Sequence, residues 1–469
     1  MTEPARYVFD PLDRRGLVAG LRAGQVIILG GGLVLATAVL RASPNGAGIG
    51  LALVAAAVAA ATAFVSVGGQ TAEQWAPIIS RRGLRLVTGA TVTKPASHRR
   101  PGAPRLPPVP RSLAAITFLE LDDPSGTQVG AIRDRAQRTV SAVLVVRARS
   151  FALLDSEDKA RRLAAWSAVL TGLAREDGHV RTLQWVERTV PGDAVDLERH
   201  LDAGRVLAPD DPRVASYREL IAEAGPLGQD HESFIVLSVR DRGRASEGVL
   251  LRELRLLRGQ LRTAEVDVDA ALTGPALGAA LRRGFDPWAP TGGVDPSTGW
   301  PLAADDGWSA VRTDDTWHAT FWVAEWPRRD VAPDFLGPLL LHAAGQRSVS
   351  LIMGPLPPSA GVREVESART AQAADEALRQ RAGFMATARR MREAEGAARR
   401  EAELADGHAA YRFSGYVTVS ARSTEALEDA CGQIVQAAHQ CHLELRRLHA
   451  VQDVAITWTL PLGRGLAAR

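Results

Sequence analysis

Two long apolar runs dominate the first 67 positions. Ala23 to Leu40 is interrupted only by Gln25 and Thr37, and Ile49 to Val67 only by Thr62 and Ser66. At the rise of an α-helix each run reaches about 27 Å, close to the hydrocarbon thickness of a bilayer. Between them, Arg41 to Gly48 holds Ser43-Pro44-Asn45-Gly46, a turn cluster with room only to reverse the chain. The pattern predicts a transmembrane helical hairpin over 23–67 behind a short segment, 1–22. Ala52, Ala56 and Ala60 would form a small-residue ridge on the second helix, and Gly32 with Ala36 a complementary one on the first.

Beyond residue 113 the period of the apolar positions switches repeatedly between two and 3.6. Thr139 to Arg149 alternates and is valine-rich. After Asp155-Ser156-Glu157-Asp158, Leu163, Trp166, Leu170 and Leu173 share one helical face, and Val180 to Val190 returns to strand character. The same strand, helix, strand order recurs at 233–240, 250–261 and 265–271, at 318–324, 335–344 and 349–353, and at 416–421, 424–442 and 453–460. This predicts an α+β region of two split β-α-β layers of ferredoxin-like type, helices on one face, divided into domains 113–310 and 311–469. Val362 to Ala405 interrupts it with dense Arg and Glu and no proline, the pattern of a solvated helical arm that could dock a partner.

Charge changes the picture at one place. The formal net charge is +3, but no acid lies between Glu73 and Glu120, where Arg81, Arg82, Arg85, Lys94, Arg99, Arg100, Arg105 and Arg111 cluster. With six prolines from Pro95 to Pro110, the stretch 68–112 is expected to be an extended basic connector. Arginines flank both outer ends of the hairpin, whereas its turn carries Arg41 alone. Both termini and the bulk of the chain are therefore expected on the cytoplasmic side of a bacterial inner membrane. Arg81, Arg82, Arg85, Lys94, Arg99 and Arg100 become candidates for contact with an anionic lipid surface or a partner. Nucleic-acid binding is not expected, because no Phe, Tyr or Trp is interleaved with arginine from Gly83 to Ser112.

The search for catalytic chemistry yields exclusions. Only Lys94 and Lys159 are lysines and neither follows glycine, so no Gly-Lys-Ser/Thr phosphate loop exists. Cys431 falls with Leu427, Ile434, Ala438 and Cys441 on one apolar helical face, so core cysteines are expected rather than a zinc site with His439 and His442. Gly243 to Gly248 misses the Gly-x-Ser-x-Gly elbow by one residue. Asp267-Val268-Asp269 could hold a metal and a sugar nucleotide, the basis of an alternative reading as a membrane-bound glycosyltransferase. Trp308, Trp317, Trp322 and Trp326 could anchor an interface. No catalytic residue, cofactor or metal is expected.

Tyr7, Phe9, Pro11, Leu12, Arg14, Arg15 and Gly16, followed by the hairpin and by Trp75-Ala76-Pro77, resemble the PrgI-like inner-membrane subunit of type IV secretion and conjugation systems. The remainder resembles the N-terminal, non-motor half of the VirB-type secretion ATPase, up to Thr459-Leu460-Pro461-Leu462-Gly463. An actinobacterial family fuses these two parts. The chain reaches Arg469 where that family's motor would begin. The resemblance thus implies a non-enzymatic membrane adaptor, working in an oligomeric complex with a separately made ATPase and other inner-membrane channel subunits. A type VII-like secretion membrane subunit is the alternative of the same class.

Overall fold

A computed structural model describes residues 9, 23–67, 70–89, 92–93, 110–147, 151–192, 194–224, 228–289, 294–342, 345–381 and 388–466. It divides into two compact units, 11–91 and 1–10 with 92–469.

The smaller unit contains α1 (Ala23–Ala42), α2 (Gly46–Phe64), a two-stranded ribbon of β1 (Ser66–Val67) and β2 (Gln70–Thr71), and α3 (Ala72–Val87). Asn45 starts α2, its side chain accepting from the Gly48 N–H at 2.8 Å. Gln25 near the start of α1 donates to the Ala63 carbonyl near the end of α2 at 3.0 Å, so the two helices run antiparallel.

The larger unit contains β3 (Val92–Thr93), β4 (Ile116–Asp122), β5 (Gln128–Asp134), β6 (Thr139–Arg147), α4 (Ser156–Leu173), β7 (Val180–Pro191), α5 (Ala194–Gly204), α6 (Pro212–Ala224) and β8 (Gln229–Arg240). Then come α7 (Ala245–Thr263), β9 (Asp267–Ala271), α8 (Gly274–Phe285), β10 (Ala304–Asp306), β11 (Val311–Thr313), β12 (Thr316–Glu325) and β13 (Gln346–Pro355). The chain continues through α9 (Pro358–Arg381), α10 (Ala388–Ala405), β14 (Tyr411–Ala421), α11 (Thr424–Gln440), β15 (Glu444–Arg447) and α12 (Gln452–Ala455).

One large antiparallel sheet runs through this unit in the order β3-β10-β11-β12-β14-β13-β7-β8-β6-β5-β4, with β15 also on β12 and β9 also on β6. Its centre is the β7–β13 pair, which places Trp185 opposite Leu351 and Val186 opposite Ser350. The sheet therefore continues across residue 310, where the sequence pattern suggested a division.

Both faces of the sheet are covered. On one, Ala142, Leu144 and Val146 of β6 pack with Leu183 of β7 and Leu237 of β8 under Val169 and Leu173 of α4 and Leu250, Leu254, Leu257 and Leu261 of α7. The spacing of those α7 leucines is the single apolar stripe that made the helix predictable. Further along the same face, Phe321, Val417 and Val419 pack under Leu427, Cys431, Ile434 and Ala438 of α11. Each fully buried side chain of this size contributes about 1.5–3 kcal/mol.

The opposite face departs from the expectation of helices on one side only. Ile132, Val143, Val186 and Val236 point there and are closed off by Leu277 and Leu281 of α8 and by Ile456, Leu460 and Leu462. β6 is thus buried on both faces, which is why Ala142 to Val146 is continuously apolar where alternation was expected.

Two local expectations are corrected. The helix expected over 335–344 is shortened to a single π-helical turn, Pro338–His342, whose Leu339 is buried in the core. Instead of a strand over 453–460, α12 and the 3-10 turn Ile456–Trp458 lead into an irregular strap over the sheet. A strand there would have no open partner, since β12 is paired with β14 on one side and with β11 and β15 on the other. In the gap between those two, the Gln452 side chain accepts from Thr320 N–H at 2.8 Å and donates to Thr320 C=O at 3.3 Å.

The strap crosses the sheet by exchanging hydrogen bonds with polar side chains that interrupt the strands. Thr459 bonds Thr418 of β14 at 2.7 Å. Gln184 of β7 donates to the carbonyls of Trp458 and Leu460, both at 3.0 Å, and accepts from Gly463 N–H at 2.7 Å. Gly463 has φ +70°, and a Cβ there would stand 2.2 Å from Ser238 Oγ of β8, so this turn requires glycine twice over. Arg464 then reaches Asp134 at 2.6 Å, an ion pair with side chains 6% and 1% exposed.

Candidate membrane anchor

Length and composition alone mark Gly24–Ala42 and Gly46–Phe64 as able to cross a membrane. Their outward positions, including Leu33, Val34, Leu53, Val54 and Val58, are exposed apolar side chains, as a lipid-facing surface requires. The seam between them is built of small residues. A Cβ added at Gly32 would meet Ala59 Cβ at 2.2 Å, Ala36 and Ala52 are buried, and Ala63 closes the far end. Ala60 is half-buried and Ala56 is exposed, so the ridge facing α1 runs through Ala52, Ala55, Ala59 and Ala63. An unbroken i, i+4 spacing from Ala52 chose the wrong line, because 3.6 residues per turn requires one step of three.

Arg82 and Arg85 sit half-buried on α3, and position 81 belongs to the same helix. Lys94, Arg99 and Arg100 lie outside the described residues. The start of the expected connector is thus an ordered helix. Its Glu73 packs against Gly24, at the end of the hairpin where α1 begins and α2 finishes.

Other sequence candidates resolve into structural roles. Cys431 and Cys441 are buried free thiols; burial pushes Cys431 up to about 11 and Cys441 upward as well, which keeps them unreactive. His439 is exposed, and His442 bonds Arg329. Ser246 is buried, its hydroxyl accepting from Arg242 N–H at 2.6 Å at the start of α7. Asp267 and Asp269 line a shallow depression of about 510 Å³ with Arg147 and Arg262. Asp269 is ion-paired to Arg147 at 2.8 Å. Among the described residues no group of three His, Cys, Asp or Glu side chains is placed to hold a metal ion.

The tryptophans divide. Trp317 packs on the core under α11, and Trp322 donates to Ser414 Oγ at 3.1 Å. Trp308 stacks on His449. Trp326 forms an aromatic slot with Phe413 at 5.3 Å between ring centroids, and Phe9 enters it, 5.2 Å from Trp326 and 5.5 Å from Phe335. This seating of a residue that precedes the hairpin against the large sheet unit had no signal in the sequence beyond an isolated aromatic.

Two polar clusters also escaped the sequence reading. Glu187 on β7 accepts from Ser233 and bonds His231 at 3.2 Å, and burial raises its carboxyl pKa. The serine hydroxyl and the imidazole both address the carboxylate and not each other, so the trio lacks a nucleophile–base pair. Arg188 is buried, donating to Glu232 at 3.2 Å and to Ala280 C=O at 2.8 Å, and Arg283 shares Glu232, which ties α8 to the sheet.

No protein-family model matches the chain, and no curated protein matches it.

His318 on β12 supplies a pH response. Its Nε2 lies 2.7 Å from Thr313 Oγ1, and its Nδ1 2.8 Å from Ser420 Oγ. Thr313 already donates to Phe285 C=O at 3.1 Å, so it accepts from Nε2–H and Ser420 donates to Nδ1. Burial pushes this imidazole down to about 3 from 6.5. Between those values the unfolded chain binds a proton that the folded chain does not, so stability falls as pH drops through 6.5 towards 3. From pH 7 to pH 5 the expected loss through this residue is about 2 kcal/mol. Urea unfolding across that range will show it, and His318→Gln will flatten that part of the profile.

Proposed function

We propose that the chain is a non-enzymatic inner-membrane subunit of a type IV secretion or conjugation-like apparatus, which anchors a separate cytoplasmic ATPase and couples it to the membrane channel. The observation that carries this reading is the pairing of a two-helix apolar hairpin with Phe9, seated against Trp326 and Phe335 of the large unit. An even number of crossings returns the chain to the side it left, and Phe9 on the sheet unit supports that topology. The arginines outside the hairpin favour the cytoplasmic side. The choice of apparatus rests on the resemblance of the N-terminal motif and the hairpin to PrgI-like subunits, and of the remainder to the non-motor half of a secretion ATPase.

Within the large unit we read two split β-α-β units of ferredoxin-like type, joined along β7 and β13. The neighbour order β9-β6-β8-β7 supports the first and β15-β12-β14-β13 the second. In each, a pair of helices separates the second and third strands: α5 and α6 in one, α9 and α10 in the other. These projecting helices are the natural docking arms for an ATPase.

Detergent extraction followed by affinity purification of the full chain tests the proposal. A secretion ATPase from the same cells is expected to co-purify, and reporter fusions at both termini are expected to be active only as cytoplasmic reporters. A chain recovered without membranes and without the ATPase would overturn it.

A further inference from the structure

The helix α3 has two sides of different chemistry. Stepping about 100° per residue, Trp75, Ile79 and Leu86 fall within about 40° of one another, and Ala76, Gly83 and Val87 widen that side without adding a polar group. Positions 81 and 85, both arginine, fall on the other side, Arg82 stands at the border about 20° from Trp75, and the one acid of the helix, Glu73, is in its first turn. Trp75 is half-buried, but Ile79 and Leu86 are each 57% exposed and Val87 86%, so most of the apolar side is open. A helix of sixteen residues with this exposure would be an aggregation hazard in water.

Its position supplies the cover. The chain leaves α2 at Phe64 and enters α3 at Ala72 through the short β1–β2 ribbon, and Glu73 packs against Gly24 at the start of α1. The helix therefore begins at the depth where both candidate spans end. We propose that α3 is a membrane-surface helix: the Trp75, Ile79 and Leu86 side lies in the boundary between headgroups and acyl chains, and Arg82 and Arg85 extend to anionic phospholipid headgroups. The inference rests on the membrane reading above and adds to it a third, in-plane contact with a stated lipid chemistry. Arginine side chains keep their stems beside the apolar side while the guanidinium groups reach outward, the arrangement that lets such helices bind acidic lipid surfaces.

The test uses the full chain with single added cysteines. Because Cys431 and Cys441 are buried thiols with raised pKa, an exposed new cysteine takes an environment-sensitive dye selectively. Leu33→Cys, Gln74→Cys, Ile79→Cys and Leu86→Cys would be labelled and reconstituted into phosphatidylcholine vesicles with and without phosphatidylglycerol. Lipids carrying quenchers near the headgroup or deep in the acyl chain would report depth. The expected result is deep quenching at 33, and shallow quenching at 79 and 86 about twofold above that at 74. Shallow quenching should be stronger with phosphatidylglycerol and should fall to the phosphatidylcholine level in Arg82→Gln/Arg85→Gln. Quenching at 33 with 79 and 86 no different from 74 would overturn the surface helix alone. Quenching at 79 and 86 that is indifferent to phosphatidylglycerol would overturn the assignment of anionic lipid. No quenching at 33 would overturn the membrane reading on which it stands.

Discussion

Replacing Arg464 by methionine will destabilise the large unit by about 3–5 kcal/mol, because it leaves Asp134 as a buried carboxylate without its cation. The two side chains are 2.6 Å apart and almost fully enclosed, and Arg464 also donates to Ser112 C=O at 2.5 Å. Asp134 is engaged on its other oxygen as well, accepting from Ala136 N–H at 2.9 Å and Gln137 N–H at 3.1 Å in the turn after β5. Loss of the arginine therefore strains the turn as well as the strap. The double variant Arg464→Met/Asp134→Asn keeps an acceptor for the turn and removes the stranded charge, and it should recover more than half of the loss. Urea unfolding of the detergent-solubilised chain, followed by tryptophan fluorescence, measures both; Trp458 lies in the strap itself. A single-variant cost below about 1 kcal/mol would show the pair to be worth no more than a surface ion pair.

The second large effect concerns the hairpin. Leu33 and Val54 lie near the middles of α1 and α2 and are 69% and 57% exposed. An arginine at the centre of a membrane helix costs about 2.5–3.5 kcal/mol on insertion scales, so Leu33→Arg/Val54→Arg should cost about 5–7 kcal/mol. The variant is expected to leave the carbonate-resistant membrane fraction, whereas Leu33→Ala/Val54→Ala remains in it. Retention of the arginine variant would show that these helices do not face lipid.

Where local chemistry decides, the sequence was a sufficient guide. The two apolar runs, the Ser43-Pro44-Asn45 reversal, the α7 leucine stripe and the α11 face with its cysteines all follow from spacing and side-chain type within one element. The failures have a common cause, since each depends on what a distant segment offers. The 453–460 stretch has the alternation of a strand, but β12 is already paired on both sides and Gln452 fills the gap between β11 and β15. The 335–344 stretch has the apolar content of a helix, and a single π-helical turn, Pro338–His342, forms there with Leu339 in the core.

The candidate sites divide in the same way. Basicity beside the hairpin was visible as a run of arginines without acids, but not that its first part is a helix with an exposed apolar side. Asp267 and Asp269 suggested a metal site in sequence, and only the fold brings Arg147 to Asp269 as an ion pair.

By itself the sequence determined that this protein has a hairpin fit to cross a membrane, a basic stretch beside it, and an α+β region without the lysine of a phosphate loop. These follow from residue type and spacing along the chain, which hydrophobic burial reads directly. Tertiary structure alone decided that one sheet unites the whole large unit, that its second face is closed by α8 and a strap held by Gln184 and Asp134, and that Phe9 returns to Trp326. Those contacts join residues far apart in sequence, and their free energy comes from the complementarity of surfaces that exist only once both partners have folded.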